Sequence, residues 1–539
     1  MTPESPPLER SPYDELEYIA ASFPRMNPAR IGAVGQLFGM RPAPAARCRM
    51  LELGCGQGFT LLALAQLFPE SEFLGIDLAE RHVANARRLA AAAGLTNVRF
   101  EQRDILDVSA ERDGKFDYIA SHGVYSWVPA PVKEHLLAVC GSQLEPQGMA
   151  YISYNTLPGW AHLRVVREML IYHTSRYADP MEKHAQARTL VAFLRETAPG
   201  GKEGWLARWL AEVEKLLARS EPAYFIHEYL ETTNDPCYFH EFMERAEAHG
   251  LKYVSEAAVA QSFPTNLGQK AATVIEMLKR SVVDAEQYMD FARNTQFRTT
   301  LLARSDVLID RNFTTERLAR LRFAMAIRPV DSSQPSPSLD GTQEFVSAGG
   351  ARFSSREPFI QAVLRVYSQR PGQFLGLPAV RQQALESLTA SGVPHPAEPG
   401  VLLGSLLSRC LAAGIAEAAT SDATAFETVD HVTERPFATP LSRVQADAGL
   451  PVLQRDLVCR KLSEDARAIV AWCDGGRSAD DILRAFDDAI RTGRLYQPPP
   501  QADGKPTAPH ELGRKILEDL AKGGFLWQLP AAPESDRTA

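Results

Sequence analysis

Met50-Leu51-Glu52-Leu53-Gly54-Cys55-Gly56-Gln57-Gly58 is the stretch on which the reading of this chain turns. A short apolar run ends in three alternate glycines and opens into the helical pattern of 59–68. Glycine lets backbone approach a ligand with no Cβ in the way, and a helix that starts after such a turn points free amides at whatever sits there. A glycine loop alone is weak evidence. Its surroundings strengthen it. Glu52 lies two residues before the first glycine, and Asp77 ends the next apolar run, Glu72-Phe73-Leu74-Gly75-Ile76-Asp77. That is about the twenty-residue spacing at which a strand-end carboxylate can accept from ribose hydroxyls. The dinucleotide pattern wants a glycine three after Gly56, where this chain has Phe59, so NAD is disfavoured as the ligand.

Outward from this loop, strands and helices alternate. Strand 49–54, helix 59–68, strand 72–77, helix 79–93 closed by Gly94, strand 98–104, strand 116–121, helix 130–144, the turn 145–148 and strand 149–154 imply right-handed βαβ units and a parallel sheet. Residues 160–222 carry only amphipathic helical pattern and read as an insertion. Helix 241–249, strand 251–255 and strand 296–304 then complete an α/β, Rossmann-like sheet of seven strands that is discontinuous in sequence. Ligands of open α/β sheets sit at the carboxyl ends of strands. The loop Gly54, Gly56, Gly58 with Glu52, Asp77 with Leu78 beside it, Asp104 with Ile105, His122 to Trp127, and Tyr154 to Trp160 should therefore meet in one crevice. Asp104 is placed to accept from an adenine amine, although an Asp in that position can equally form a turn.

The pattern E-x-G-x-G-x-G followed by a strand-end Asp resembles motif I and the acidic loop of class I S-adenosylmethionine (AdoMet) methyltransferases. A closer resemblance rests on longer strings: Tyr13-Asp14-Glu15-Leu16 with Phe23-Pro24; His122-Gly123-Val124-Tyr125-Ser126-Trp127; Ser153-Tyr154-Asn155-Thr156 with Pro158-Gly159-Trp160; and His227-Glu228-Tyr229-Leu230 with Asn234 and Tyr238-Phe239-His240. These are similar to bacterial methyltransferases that carry a methyltransferase regulatory domain, a group that includes protein lysine methyltransferases acting on rickettsial outer-membrane protein. The match spans about 11–310 and departs from the family at Met26-Asn27-Pro28, where the family has Thr-His-Pro. The resemblance implies a class I fold, AdoMet as cofactor, an inserted dimerisation domain and hence a homodimer, and a protein lysine as acceptor, possible targets including surface or outer-membrane proteins.

Methyl transfer from a sulfonium is an in-line displacement, so the enzyme must align a neutral nucleophile and exclude water. Tyr125, Trp127, Tyr154 and Trp160 suit walls that desolvate a cationic head or hold it by cation–π contact. Asn155, Glu228 and Tyr229, with His122 and His227, are the polar candidates for orienting the amine or relaying its proton. Taken singly, each also has a bland reading: Tyr125 and Trp127 as core, His227 as a satisfied buried imidazole, Glu228 as a helix-face charge. The fourth strand lacks the Asp/Asn-Pro-Pro-aromatic string of DNA-adenine and glutamine methyltransferases. A small-molecule methyltransferase and a non-catalytic AdoMet-binding regulator are the alternatives to a protein methyltransferase.

Composition bounds the rest. The 539 residues suggest about three or four domains, and 45% hydrophobic with 23% charged residues is ordinary for a globular chain. A net charge of −8 with no basic tract argues against nucleic acid as partner. Seven scattered cysteines without a CxxC pair suggest neither disulfides nor a metal site and fit a reducing cytoplasm. No run reaches the eighteen or so apolar residues of a membrane span, since 401–419 is broken by Gly404, Ser405 and Arg409. The expected divisions are 1–160 and 223–310 for the cofactor domain, 161–222 for the insert (dimerisation or lid), 311–344 for a connector and Ser/Pro/Asp-rich linker, and 345–440 and 441–539 for two helical, winged-helix-like modules. Residues 1–12 read as a tail, and 13–38 as a lid or brace.

Overall fold

The computed structural model of the chain describes residues 21–219, 221–331, 341–421, 424, 426, 429–496 and 508–528. Most of the expected linker 330–341 and the whole of the tail 1–12 lie outside these residues.

The sheet comprises β1 (Arg49–Leu53), β2 (Glu72–Asp77), β3 (Val98–Gln102), β4 (Phe116–Ser121), β5 (Leu144–Asn155), β6 (Leu251–Glu256) and β7 (Phe297–Arg304), in the order 3-2-1-4-5-7-6. All pairs are parallel except those of β7, which runs antiparallel to both β5 and β6. This is the class I methyltransferase sheet, and its order reverses between β1 and β4, where ligand crevices open. The expected turn 145–148 lies instead within β5, whose register to β4 shifts between Phe116 and Tyr118. An irregularity of that kind absorbs Pro146 and Gly148 without ending the strand.

Helices α1 (Pro28–Leu37), α2 (Phe59–Leu67) and α3 (Glu80–Ala92) cover one sheet face, packing Ile31, Val34, Leu61, Leu64 and Val83 with Met50, Tyr118, Met149 and Tyr151. Helix α4 (Ala110–Asp113) is a single turn, and α5 (Ala130–Gln143) covers the other face together with the later helix Phe239–Ala248. There Leu51, Leu53, Ile119, Ile152 and Tyr154 meet Leu136, Leu137, Phe239 and Phe242. Strand alternation sends successive side chains to opposite faces, and this parity matters below.

The insert is a bundle of α6 (Ala161–Thr174), α7 (Pro180–Thr197), α8 (Trp205–Arg219) and α9 (Pro222–Tyr229) with a core of its own, including Val166, Leu170, Val191, Leu210, Phe225 and Tyr229. The amphipathic pattern alone ends the insert at 222. Phe225 and Tyr229 extend it to 229, because they complete that core. The chain returns to the sheet only at Cys237, which bridges Thr156.

Two strands fall in the expected connector. Arg322–Met325 sits between Leu375–Gly376 and Ala416–Ala419 in a three-stranded sheet, so the middle module begins before 330. Its core, with Phe323, Phe359, Tyr367 and Leu407, is continuous with the α1–α3 face of the main sheet. The C-terminal module has a separate core around Ile469, Val470, Ile482, Phe486 and Leu517, and Ser478 with Asp481 forms the expected capping box. Every residue of α2 is buried. A helix apolar all round must be covered all round, and the cover on its outer side is helix Pro440–Asp447 of the C-terminal module, whose Leu441 amide donates to Gln66 Oε1 at 2.8 Å. Each leucine so covered stabilises by about 1.5–3 kcal/mol, so the C-terminal module is docked onto the cofactor domain as part of its core. No helix among the described residues is long and apolar enough to cross a membrane.

Candidate active site

The three glycines of the loop do different work. A Cβ on Gly54 would lie 2.3 Å from Val124 Cγ2, and one on Gly58 would lie 2.5 Å from the Phe100 ring, so these two permit close packing against the turn after β4 and the middle of β3. Gly56, at φ +51°, has nothing within 4 Å of its missing Cβ. Its place faces open space, as a ligand cradle requires. Asp77 fixes the loop: Oδ2 accepts from the Gly56 amide at 2.7 Å and Oδ1 from the Ala79 amide at 2.9 Å. Each oxygen keeps a lone pair. Beneath the loop Glu52 is buried, with Oε2 unpartnered, and burial followed by the Asp77 charge pushes its carboxyl well above the usual range. Leu78 is exposed beside Asp77, and Ile105 is buried. Asp104 Oδ1 caps the turn Ile105–Asp107 by accepting from the Leu106 amide, so the turn-forming role is realised while Oδ2 is left over.

His122, at the end of β4, lies on the same sheet side as the odd-numbered residues of β5. Its Nδ1 is 2.9 Å from the Tyr151 hydroxyl, and the amide of Gly123 donates to Ser153 Oγ. The Phe23 ring stacks on the imidazole at 3.7 Å. Burial, then the Arg25 charge, lowers the imidazole pKa to about 4, so it is neutral at pH 7 and a poor proton acceptor.

At the ends of β4 and β5, the Asn155 amide donates to Ser126 Oγ and the Asp235 amide to the Ser126 carbonyl, which draws segment 234–237 against the crevice. The side-chain Nδ2 atoms of Asn155 and Asn234 are both buried without a partner. Trp127 is half-buried, edge-on to Trp160 at 6.4 Å, and the Arg167 guanidinium of α6 lies 5.4 Å over its ring. Arg167 also donates to the carbonyls of Glu228 and Glu231, tying α9 to this turn. The Glu228 carboxyl is half-buried, and burial, opposed by the Arg167 charge, raises its pKa to about 7.

Three expected site residues fall elsewhere. Tyr125 and Tyr154 are fully buried on the opposite sheet face, packed with Phe242, so their rings do not wall an open crevice. Tyr154 has the parity of Ile152 rather than of Asn155. Its hydroxyl meets Thr300 Oγ1 at 3.0 Å, and Thr300 donates to Glu256, a member of the buried cluster in which Arg298 binds Glu256, Glu286 and Asp290. Burial pushes both phenols up, that of Tyr125 to about 12, which removes them as bases near neutrality. The Tyr229 ring is insert core. Arg167 went unread in the sequence, because only the fold of the insert brings α6 over Trp127.

A methyltransferase-domain model matches residues 45–193, and a model described as "Predicted methyltransferase regulatory domain" matches 221–304. The chain is 34% identical over 382 residues to uncharacterized protein RP789 of Rickettsia prowazekii, spanning 70% of this chain and 68% of that one. It is 37% identical over 240 residues to uncharacterized protein RP028 of the same organism, spanning 44% and 95%. The chain belongs to this family of class I methyltransferases with a regulatory domain. The structure of PKMT2 from Rickettsia typhi in complex with AdoHcy matches with a TM-score of 0.82 at 27% identity, over 94% of this chain and 99% of that chain. AdoMet is accordingly the cofactor of this methyltransferase. The crevice fits it: an open glycine cradle, a strand-end carboxylate with spare lone pairs, and a buried Glu52 whose Oε2 is free to accept from a ligand amine.

Proposed function

We propose that this methyltransferase is a protein lysine N-methyltransferase whose acceptor amine reaches the crevice past Trp127. The reading rests on Glu228, a half-buried carboxyl raised to about 7 that shares Arg167 with Trp127 at the ends of β4 and β5. AdoMet, when bound, supplies an electrophilic methyl on a sulfonium. Asp77 would hold its ribose, Ile105 and the free oxygen of Asp104 its adenine, and Glu52 would face its positive end. The acceptor side falls to the insert and the strand ends. A lysine must lose a proton before it attacks, from an ordinary pKa near 10.4. The Arg167 charge and the half-buried indole of Trp127, backed by buried Trp160, disfavour an ammonium ion, and a carboxylate near pKa 7 can take the proton and pass it to water. Asn155 and Asn234, whose side-chain Nδ2 atoms lack partners, are suited to donate to carbonyls of the acceptor chain and hold it in line.

Resemblance to PKMT2 of Rickettsia typhi supports this reading. Tyr172, Phe193 and Trp205 expose large apolar side chains on the insert, which supports a homodimer formed through it. Light scattering of the intact chain at micromolar concentration should then give twice the monomer mass, and a monomer mass would leave the insert as a lid. The deciding test of the reaction is incubation with labelled AdoMet and a lysate of the source organism. Label on protein lysine is expected. Label confined to a small-molecule fraction would overturn the acceptor class and leave the methyltransferase assignment standing.

A further inference from the structure

Residues 22–26 form a strap across the mouth between β1 and β4. The Ser22 hydroxyl donates to the Leu457 carbonyl at 2.5 Å and lies 3.3 Å from Cys459 Sγ, in the C-terminal hairpin of Val452–Leu453 and Cys459–Arg460. Leu457 sits at φ +65°, a strained conformation for leucine that only a firmly held hairpin sustains. The Phe23 amide donates to Thr60 Oγ1 in the first turn of α2, while its ring covers His122 at the end of β4. One turn later Asn27 caps α1 through the Ala29 amide. Between these anchors lies the single turn Pro24–Met26, and Arg25 is its exposed cation. Arg25 forms no ion pair among the described residues, and its charge acts on both His122 and Tyr151.

The strand order dictates what this cation meets. With adenine at the end of β3 and ribose on Asp77 at the end of β2, the substituent on the ribose must run over the β1 loop toward β4, because the strands are ordered 3-2-1-4. The amino-acid tail of AdoMet therefore arrives under the strap. Its ammonium can donate to the unpartnered Oε2 of buried Glu52, which offers nothing to a carboxylate, and the carboxylate needs a cation above the loop. We propose that Arg25 binds the carboxylate of the AdoMet methionine tail, on a strap held in place by the C-terminal hairpin. This rests on the cofactor and not on the identity of the acceptor.

Calorimetry of the full chain with AdoMet and with decarboxylated AdoMet, which lacks only that carboxylate, separates the outcomes. Arg25→Met should weaken AdoMet binding about tenfold or more, as expected for loss of a charge-assisted contact, and change decarboxylated AdoMet by less than about twofold on the same grounds. Arg25→Lys should fall between wild type and Arg25→Met, because it keeps the charge and loses the fork. Ser22→Ala, which frees the strap from the hairpin, should weaken AdoMet several-fold with the same ligand preference. Equal losses for both ligands in Arg25→Met would make Arg25 a packing residue and overturn the proposal, as would no loss for either. Wild type binding neither ligand would instead remove the cofactor assignment on which the proposal stands.

Discussion

The two halves of the crevice are built differently. The half proposed for the nucleoside is made by short segments at the ends of the neighbouring strands β1, β2 and β3, joined by bonds such as that from the Gly56 amide to the Asp77 carboxylate. The half proposed for the acceptor gathers distant segments: the turn after β4, the end of β5, α6 and α9 of the insert, and residues 234–237. Local construction gives a pocket that one motif can announce. Long-range construction gives one whose members are known only once the insert is folded, and it lets acceptor chemistry change while the cofactor grip stays fixed.

The sharpest way to break this division is Glu228→Gln. As the proton acceptor, Glu228 should contribute on the order of a hundredfold to kcat, while AdoMet affinity by calorimetry stays unchanged. Single-turnover rates equal to wild type would return Glu228 to the role of a helix-face charge. Its pH dependence adds a second reading. Wild-type kcat/KM should rise as the carboxyl ionises through about pH 7, and the variant should lose that limb. Stability should move the other way. A carboxyl whose folded pKa is raised contributes stability that is present below its unfolded value, near 4.3, and lost as pH climbs through about 7, because the unfolded chain then ionises more readily. The fall in Tm from pH 5 to pH 8 should therefore be smaller in Glu228→Gln.

Asp77→Ala tests the other half. With two hydrogen bonds to a charged acceptor at stake, each about 1.5–3 kcal/mol, AdoMet affinity should drop tenfold or more, and kcat at saturating cofactor should change far less. A kcat collapse at saturation would mean the halves are coupled through the Gly56 amide. The smallest effect is expected for Tyr154→Phe, which removes one hydroxyl from the Thr300–Glu256 chain. About 0.5–1.5 kcal/mol of stability, read as a Tm shift of about a degree, should be lost with single-turnover rates intact. A rate loss without a Tm shift would bring Tyr154 back into the reaction.

This asymmetry also set how much the sequence disclosed. Glycines, a strand-end acid and alternating elements are local signals, and the loop, Asp77 and all seven strands were legible from them. Tyr154 was misread because adjacent β5 residues face opposite ways, and the string Ser153-Tyr154-Asn155 does not say which parity meets the crevice. Glu228 was singled out, but as part of a segment returning to the sheet; Phe225 and Tyr229 show that it belongs to a helix closing the insert. The strand Arg322–Met325 hid in an expected connector because its partners lie about fifty and ninety residues downstream, a separation that local propensity does not register.

The cover of α2 sets a schedule. Gln66 and the Leu441 amide that it accepts from are separated by 375 residues. At about 5–20 residues per second on the ribosome, the helix that carries the glycine loop waits roughly 20–75 s before its outer side can be shielded. Through that interval its leucines are a target for chaperones and for neighbouring nascent chains. A chain terminated before Leu441 is therefore expected to leave that side of α2 uncovered.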